Sequence, residues 1–177
     1  MAKVTGGDKL ALKLGDMSKA LQNASSVDVG WPVNDTYPDG TSIPKVAAIQ
    51  EYGAPKKGIP PRPYFRTMIA KKSPEWPDAI SKALVKNKYD ARKTLNQLGL
   101  TVEGQLQDSI VDMNSPPLSP VTIMLRSMKN EYEGLPFYDK MKIAIARVHA
   151  GKSAKGASEK PLVDTGVLLN SIKHVVK

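Results

Sequence analysis

Cysteine is absent from the chain. That removes disulfides, thiolate metal sites and cysteine nucleophiles, and it fits synthesis in a reducing cytoplasm. Histidine is almost absent too. His149 and His174 stand far apart, with no HExxH pattern or carboxylate cluster beside either, so no metal site is predicted. No apolar run approaches the roughly 18 residues that a membrane span needs. Nothing apolar follows Met1-Ala2-Lys3-Val4 in the manner of a secretion signal. Aromatic residues are scarce, at 6%. No internal repeat is found, and no low-complexity tract apart from a short linker at 151–159. What remains is an ordinary apolar content of 41% in 177 residues, enough for one domain with a proper core.

Positive charge is what the chain has in excess. The net charge is +9, and most of it lies in residues 56–93, where eleven Lys and Arg face Glu75, Asp78 and Asp90. A block of this kind attracts phosphate. Its aromatics are Tyr64, Phe65, Trp76 and Tyr89, and the apolar spacing claims most of these for the core. A solvated basic helix face is therefore favoured over a nucleic-acid groove. A monomeric nucleic-acid-binding protein using this block stands as the alternative function.

The stretch 45–72 organises the rest. Residues 46–52 are apolar-rich and short, either a strand or a helix. Residues 53–63 are stiffened by Pro55, Pro60, Pro61 and Pro63. Pro63 suits the first turn of a helix over 64–72, with Tyr64, Phe65, Met68 and Ile69 on its apolar face. The predicted contact surface is this loop and its flanks: Tyr52, Lys56, Lys57, Arg62 and Tyr64. Arg62 is expected to fork onto a neighbour's carboxylate, with Asp108/Asp112 or Glu131/Glu133 as acceptors.

Along the chain, Leu10, Leu14, Met17 and Leu21 mark a helix over 8–21 with Asp8 as its N-cap. Residues 26–31 read as a strand, and 32–40 as a turn-rich loop. A helix restarts at 75–87. The longest element is 90–113, where Ala91, Leu95, Leu98, Val102, Leu106, Ile110 and Met113 form a nearly unbroken apolar stripe. Gly99 and Gly104 weaken that helix unless they admit another element. Ser119-Pro120 opens a further helix, 137–150 another, and 173–177 is a candidate terminal strand.

Two motifs with catalytic overtones fail. Asp164-Thr165-Gly166 matches the triplet of aspartic proteases, but such a site needs two carboxylates sharing a proton. Too few residues follow Gly166 for the flap and strand layer of the retropepsin type. Asp164 and Gly166 are read instead as the cap and turn of a helix start. Gly151-Lys152-Ser153 ends like a phosphate loop, yet Ala146 stands where its first glycine belongs. No nucleophile has a base beside it. The residues point to a non-enzymatic protein with no cofactor.

Three elements occur in order: Glu51-Tyr52-Gly53 with Pro61-Arg62-Pro63-Tyr64, then Pro116-Pro117-Leu118-Ser119 with Thr122, then Pro161-Leu162-Val163-Asp164-Thr165-Gly166 with Leu168. This series resembles the head–tail joining and tail-completion proteins of tailed bacteriophages, including the virion morphogenesis group. The match covers about 8–128 and 160–177. It departs at 129–159, which reads as an insertion or flexible appendage in a single domain of 1–177. The resemblance implies an α+β fold: a small antiparallel sheet packed against a long amphipathic helix, with additional short helices. It also implies a homo-oligomeric ring, most often hexameric, at the virion neck, with tail-tube and head-connector proteins as partners. The ring would be made in the host cytoplasm, carry no catalysis and touch genomic DNA only incidentally. Tube lumens in that family tend to be acidic, which would turn the basic block toward a protein neighbour.

Overall fold

Two short strands set the sheet. In the computed structural model, which describes residues 6–177, β1 (Val27–Gly30) pairs antiparallel with β2 (Lys173–Val176), with Val27 opposite Val176 and Val29 opposite His174. Residues 1–5, on which the expectation of no leader falls, lie outside the described part. Alternation is visible in both strands: Val27, Val29, His174 and Val176 are half-buried, and Asp28, Lys173 and Val175 face out. A two-stranded sheet is marginal alone and needs a helix behind it.

That helix is α5 (Ala91–Asp112), once α1 (Gly7–Leu21), α2 (Ile43–Tyr52), α3 (Tyr64–Lys72) and α4 (Trp76–Lys86) have been passed. Asp90 caps α5, its Oδ1 accepting the Lys93 amide proton at 2.9 Å. The Lys93 amide, and then the Asn23 side chain, hold the Asp90 carboxyl below its ordinary pKa. The His174 ring of β2 lies over Gly99 so closely that a Cβ there would sit 2.4 Å from His174 Cδ2. His174 Nδ1 is 2.8 Å from Glu103 Oε1 and Nε2 is 2.7 Å from Asn96 Oδ1, both on α5. The fold is therefore α+β, with the small antiparallel sheet packed on the long amphipathic helix. Gly99 admits the sheet as the spacing suggested. Gly104 has nothing within 4 Å of a built Cβ.

The chain divides into two compact units. The first comprises the described residues up to Pro32, Arg66–Gln107 and Ile172–Lys177, and the second Val33–Phe65 and Asp108–Ser171. In the first, β1, β2 and most of α5 are joined by α1 and α4. Trp76 of α4 donates its indole N–H to Gln105 Oε1 at 3.0 Å. Asn87, buried at the end of α4, donates to Thr94 Oγ1 and Gln97 Oε1 at 3.2 and 2.9 Å. Asp8 does not cap α1. Gly6 takes the N-cap position and Asp8 falls within the first turn, where its charge meets the helix dipole without capping it.

In the second unit, 46–52 resolves as part of α2, whose buried residues Ile43, Ala47 and Glu51 recur every four positions. Helices α6 (Pro120–Ser127), α7 (Phe137–His149) and α8 (Val167–Asn170) follow. Ser119 caps α6 as expected, accepting the Thr122 amide proton at 3.1 Å. The expected appendage over 129–159 is a packed part of the unit. Ala144 of α7 is fully buried with Met124 and Met128, and Tyr132, Ile143, Val148 and Ala154 pack around them.

Candidate functional site

The loop after α2 is built on a glycine that nothing else can replace. Gly53 has φ 77°, and a Cβ there would meet Pro61 N at 2.8 Å and Ile59 O at 2.9 Å. Ala54 and Ile59 then bridge antiparallel, and a 3-10 turn at Pro55–Lys57 closes the tip. Lys56 and Lys57 stand exposed on that tip. Tyr52, at the last turn of α2, is 65% exposed. These three of the predicted contact residues are on the surface.

The other two are not. Arg62 is 4% exposed and Tyr64 is 0% exposed. Arg62 donates from Nε to Pro116 O at 3.0 Å, from Nη1 to Gln50 Oε1 at 3.2 Å and from Nη2 to Pro117 O at 3.5 Å. The expected carboxylate acceptors are not used, and Glu131 is held by Arg147 at 2.8 and 2.5 Å. A fork of donors matches a bend of consecutive carbonyls as well as it matches a carboxylate, which is why Arg62 turns inward. Burial, and then the neighbouring Arg126 cation, lower its pKa from the ordinary value. Tyr64 donates its hydroxyl proton to Ala47 O at 3.1 Å, and its carbonyl accepts from Ser109 Oγ at 2.7 Å. Burial, and then Glu51 and Tyr37, push the phenol pKa well up. Glu51 accepts the Phe65 amide proton at 2.9 Å, placing a carboxylate on the open donors of the α3 start.

Asp164 is not the cap expected of it. Gly166 takes the N-cap position of α8 with φ 77°, and Thr165 Oγ1, not Asp164, accepts the Val167 amide proton at 3.5 Å. Asp164 lies 3.8 Å from Arg126 Nε instead. Arg126 was not singled out from the sequence. Its Nη1 donates to Ser158 O, Lys160 O and Val163 O at 2.9, 2.8 and 3.3 Å, and its Nη2 to Pro161 O at 3.1 Å. One guanidinium thus ties down the whole strand of chain that leads into Asp164. No local spacing announces such a role, because its acceptors are backbone carbonyls more than thirty residues away. Above this clasp is a cleft of about 250 Å³, lined by Tyr37, Gln50, Lys129, Asp164 and Thr165 among others. Burial, then Asp39 and Asp164, raise the Tyr37 phenol.

Among the described residues no group of His, Cys, Asp or Glu is arranged to hold a metal, and no helix is long and apolar enough to cross a membrane. His149 is exposed, and His174 belongs to the sheet–helix contact. Most of the basic block (Arg66, Lys71, Lys82, Lys86, Lys88, Arg92 and Lys93) is exposed. Comparison with protein-family models, curated proteins and solved structures finds no match to this chain.

Proposed function

We propose that this chain is a structural, non-catalytic protein of a tailed-bacteriophage neck, forming a closed ring that completes the tail and joins it to the head. One observation carries the reading. The first two of the ordered motifs that suggest the family are linked by a single side chain: Arg62 of the first element bonds Gln50 beside it and the carbonyls of Pro116 and Pro117 in the second. The third element is held by Arg126, which lies four residues beyond Thr122 of the second. The motifs are thus shared instructions for one unit, which is what a family signature without catalysis should encode. The resemblance implies six copies and tail-tube and head-connector partners.

The surface offered to those partners is the Lys56–Lys57 tip with Tyr52. Its prolines and bridge reduce the entropy lost when it is immobilised, and Tyr52 adds apolar area with a hydroxyl. Closed rings of one chain need two different patches that meet, and this tip is one. In the virus that encodes the chain, removing it should leave heads and tails unjoined. A Lys56→Glu/Lys57→Glu variant should fold normally yet restore joining poorly, as counted by electron microscopy. Joined, infectious particles formed without the protein would refute the reading.

A further inference from the structure

Helix α1 has no buried residue. Leu10, Leu14 and Leu21 expose 60%, 55% and 43% of their surface. With half-buried Met17 they form one stripe, spaced 4, 3 and 4. Ala11, Ser18 and Ala20 flank it and leave room for close approach. Lys13 is the charge beside the stripe, while Asp8, Lys9, Asp16 and Lys19 sit toward the opposite face. Anchors at i, i+4, i+7 and i+11 are how a helix is read by an apolar groove.

The same unit contains such a groove. Helix α4 also has no buried residue, and between it and α5 lies a cleft of about 270 Å³ floored by Trp76, Ile80, Ala83 and Leu98. The Trp76 N–H is already satisfied by Gln105, so the floor presents apolar surface. Glu75 is the one charged residue lining the cleft. Its partner, Lys72, lies 3.5 Å away in an exposed pair of the kind that contributes little.

We propose that α1 of one copy seats its leucine stripe in the α4–α5 cleft of a second copy, with Lys13 set against Glu75. The inference rests on the ring reading and names a contact within that ring. Three observations choose a second copy. The stripe is open although its own unit carries a matching cleft. The single charge flanking the stripe is opposite in sign to the single charge lining the cleft. Stripe and cleft are different patches, so the contact is heterologous and passes from copy to copy around a closed ring. One helical stripe covers less than the roughly 800 Å² per partner of a stable interface. The arm therefore reinforces a ring held elsewhere as well.

The absence of cysteine makes the test direct. Full-length Leu14→Cys and Ala79→Cys variants are mixed at high concentration and oxidised. A disulfide requires Cα atoms within about 7 Å, so it reports a close contact. The expected result is a covalent dimer in the mixture, with little from either variant alone. Leu10→Glu/Leu14→Glu should lower the mass of the assembly in sedimentation without lowering the melting temperature, because both leucines are exposed in their own copy. Dimers of Leu14→Cys alone would show α1 pairing with α1 and overturn the proposal. So would an intrachain bond in the dilute double variant, or no bond at all. Wild-type rings without the mixed disulfide would defeat this inference and leave the ring reading standing. Wild-type protein that stays monomeric, alone and with tail tubes, would defeat both.

Discussion

Two glycines of α5 should respond to alanine with opposite signs. At Gly99 a new methyl would come within 2.4 Å of His174 Cδ2, far inside any real contact. The overpacking cost of about 1–3 kcal/mol outweighs the roughly 1 kcal/mol that alanine adds to a helix. Gly104→Ala meets nothing within 4 Å and should gain up to about 1 kcal/mol. Urea unfolding of both variants checks the pair. Arg62→Ala should cost about 3 kcal/mol, because three part-buried acceptors lose a charged donor together. Arg62→Lys should recover little of that, since an ammonium cannot span the fork. Asp90 supplies a pH prediction. Its carboxyl pKa is depressed in the folded chain, so its stabilising contribution is present above the unfolded value of about 3.9 and is lost as pH falls through the lower folded value. The gap in melting temperature between wild type and Asp90→Ala should be steady from pH 5 to 8 and close below pH 4. Arg62 also shows where residue-level reading ends. Its proline-rich surroundings were legible, but whether a guanidinium meets a foreign carboxylate or its own backbone depends on where residues 116 and 117 come to rest.

At the scale of elements, period and caps carried most of what could be read. The α5 stripe announced itself because seven apolar residues recur at helical spacing, and Val102, Leu106 and Ile110 are indeed buried. The strand at 27–30 was visible from alternation, and Ser119-Pro120 from the chemistry of a helix start. Ile43–Tyr52 was undecided because so short an apolar run serves a strand or a helix equally well, and tertiary packing of Ile43, Ala47 and Glu51 decides it. Asp164 was misread because a carboxylate three residues before a four-residue helix looks like a cap, whereas Gly166 itself occupies that position. The segment 129–159 was read as an appendage because the resemblance departs there, and 151–159 as a linker from its glycines and serines, but Arg126 fastens the carbonyls of Ser158 and Lys160, and Ala154 packs beside Met124 and Met128. Deleting residues 152–158 should therefore lower stability measurably. Arg126→Ala should raise amide hydrogen exchange across 158–164 while leaving β1 and β2 protected, because the clasp lies wholly in the second unit. Uniform exchange in both regions would show that this clasp is not local.

For the whole molecule, composition excluded more than it assigned. The lack of cysteine and the scarcity of histidine narrowed the chemistry, and the basic block proved to be largely solvated surface. The surface part of the candidate site, Tyr52 with Lys56 and Lys57, was legible because glycine and proline fix the loop that bears it. The Arg126 clasp was not, since it joins segments far apart in sequence. The sheet has a further consequence, for synthesis. Lys177 and Asp28, which bond to each other across it, are separated by 149 positions. At about 10 residues per second, β1 leaves the ribosome some 15 seconds before its partner strand exists. Throughout that interval its backbone donors and acceptors stand open as an unguarded edge. The second unit, ending at Ser171, is already complete when residues 172–177 are added. Nascent chains arrested with residue 171 clear of the exit tunnel should resist protease over 108–171 and be cut near β1, and protection of β1 should arrive only with 173–176. A folding order written into the topology in this way makes the cell's chaperones, more than the finished structure, the guardians of the first strand.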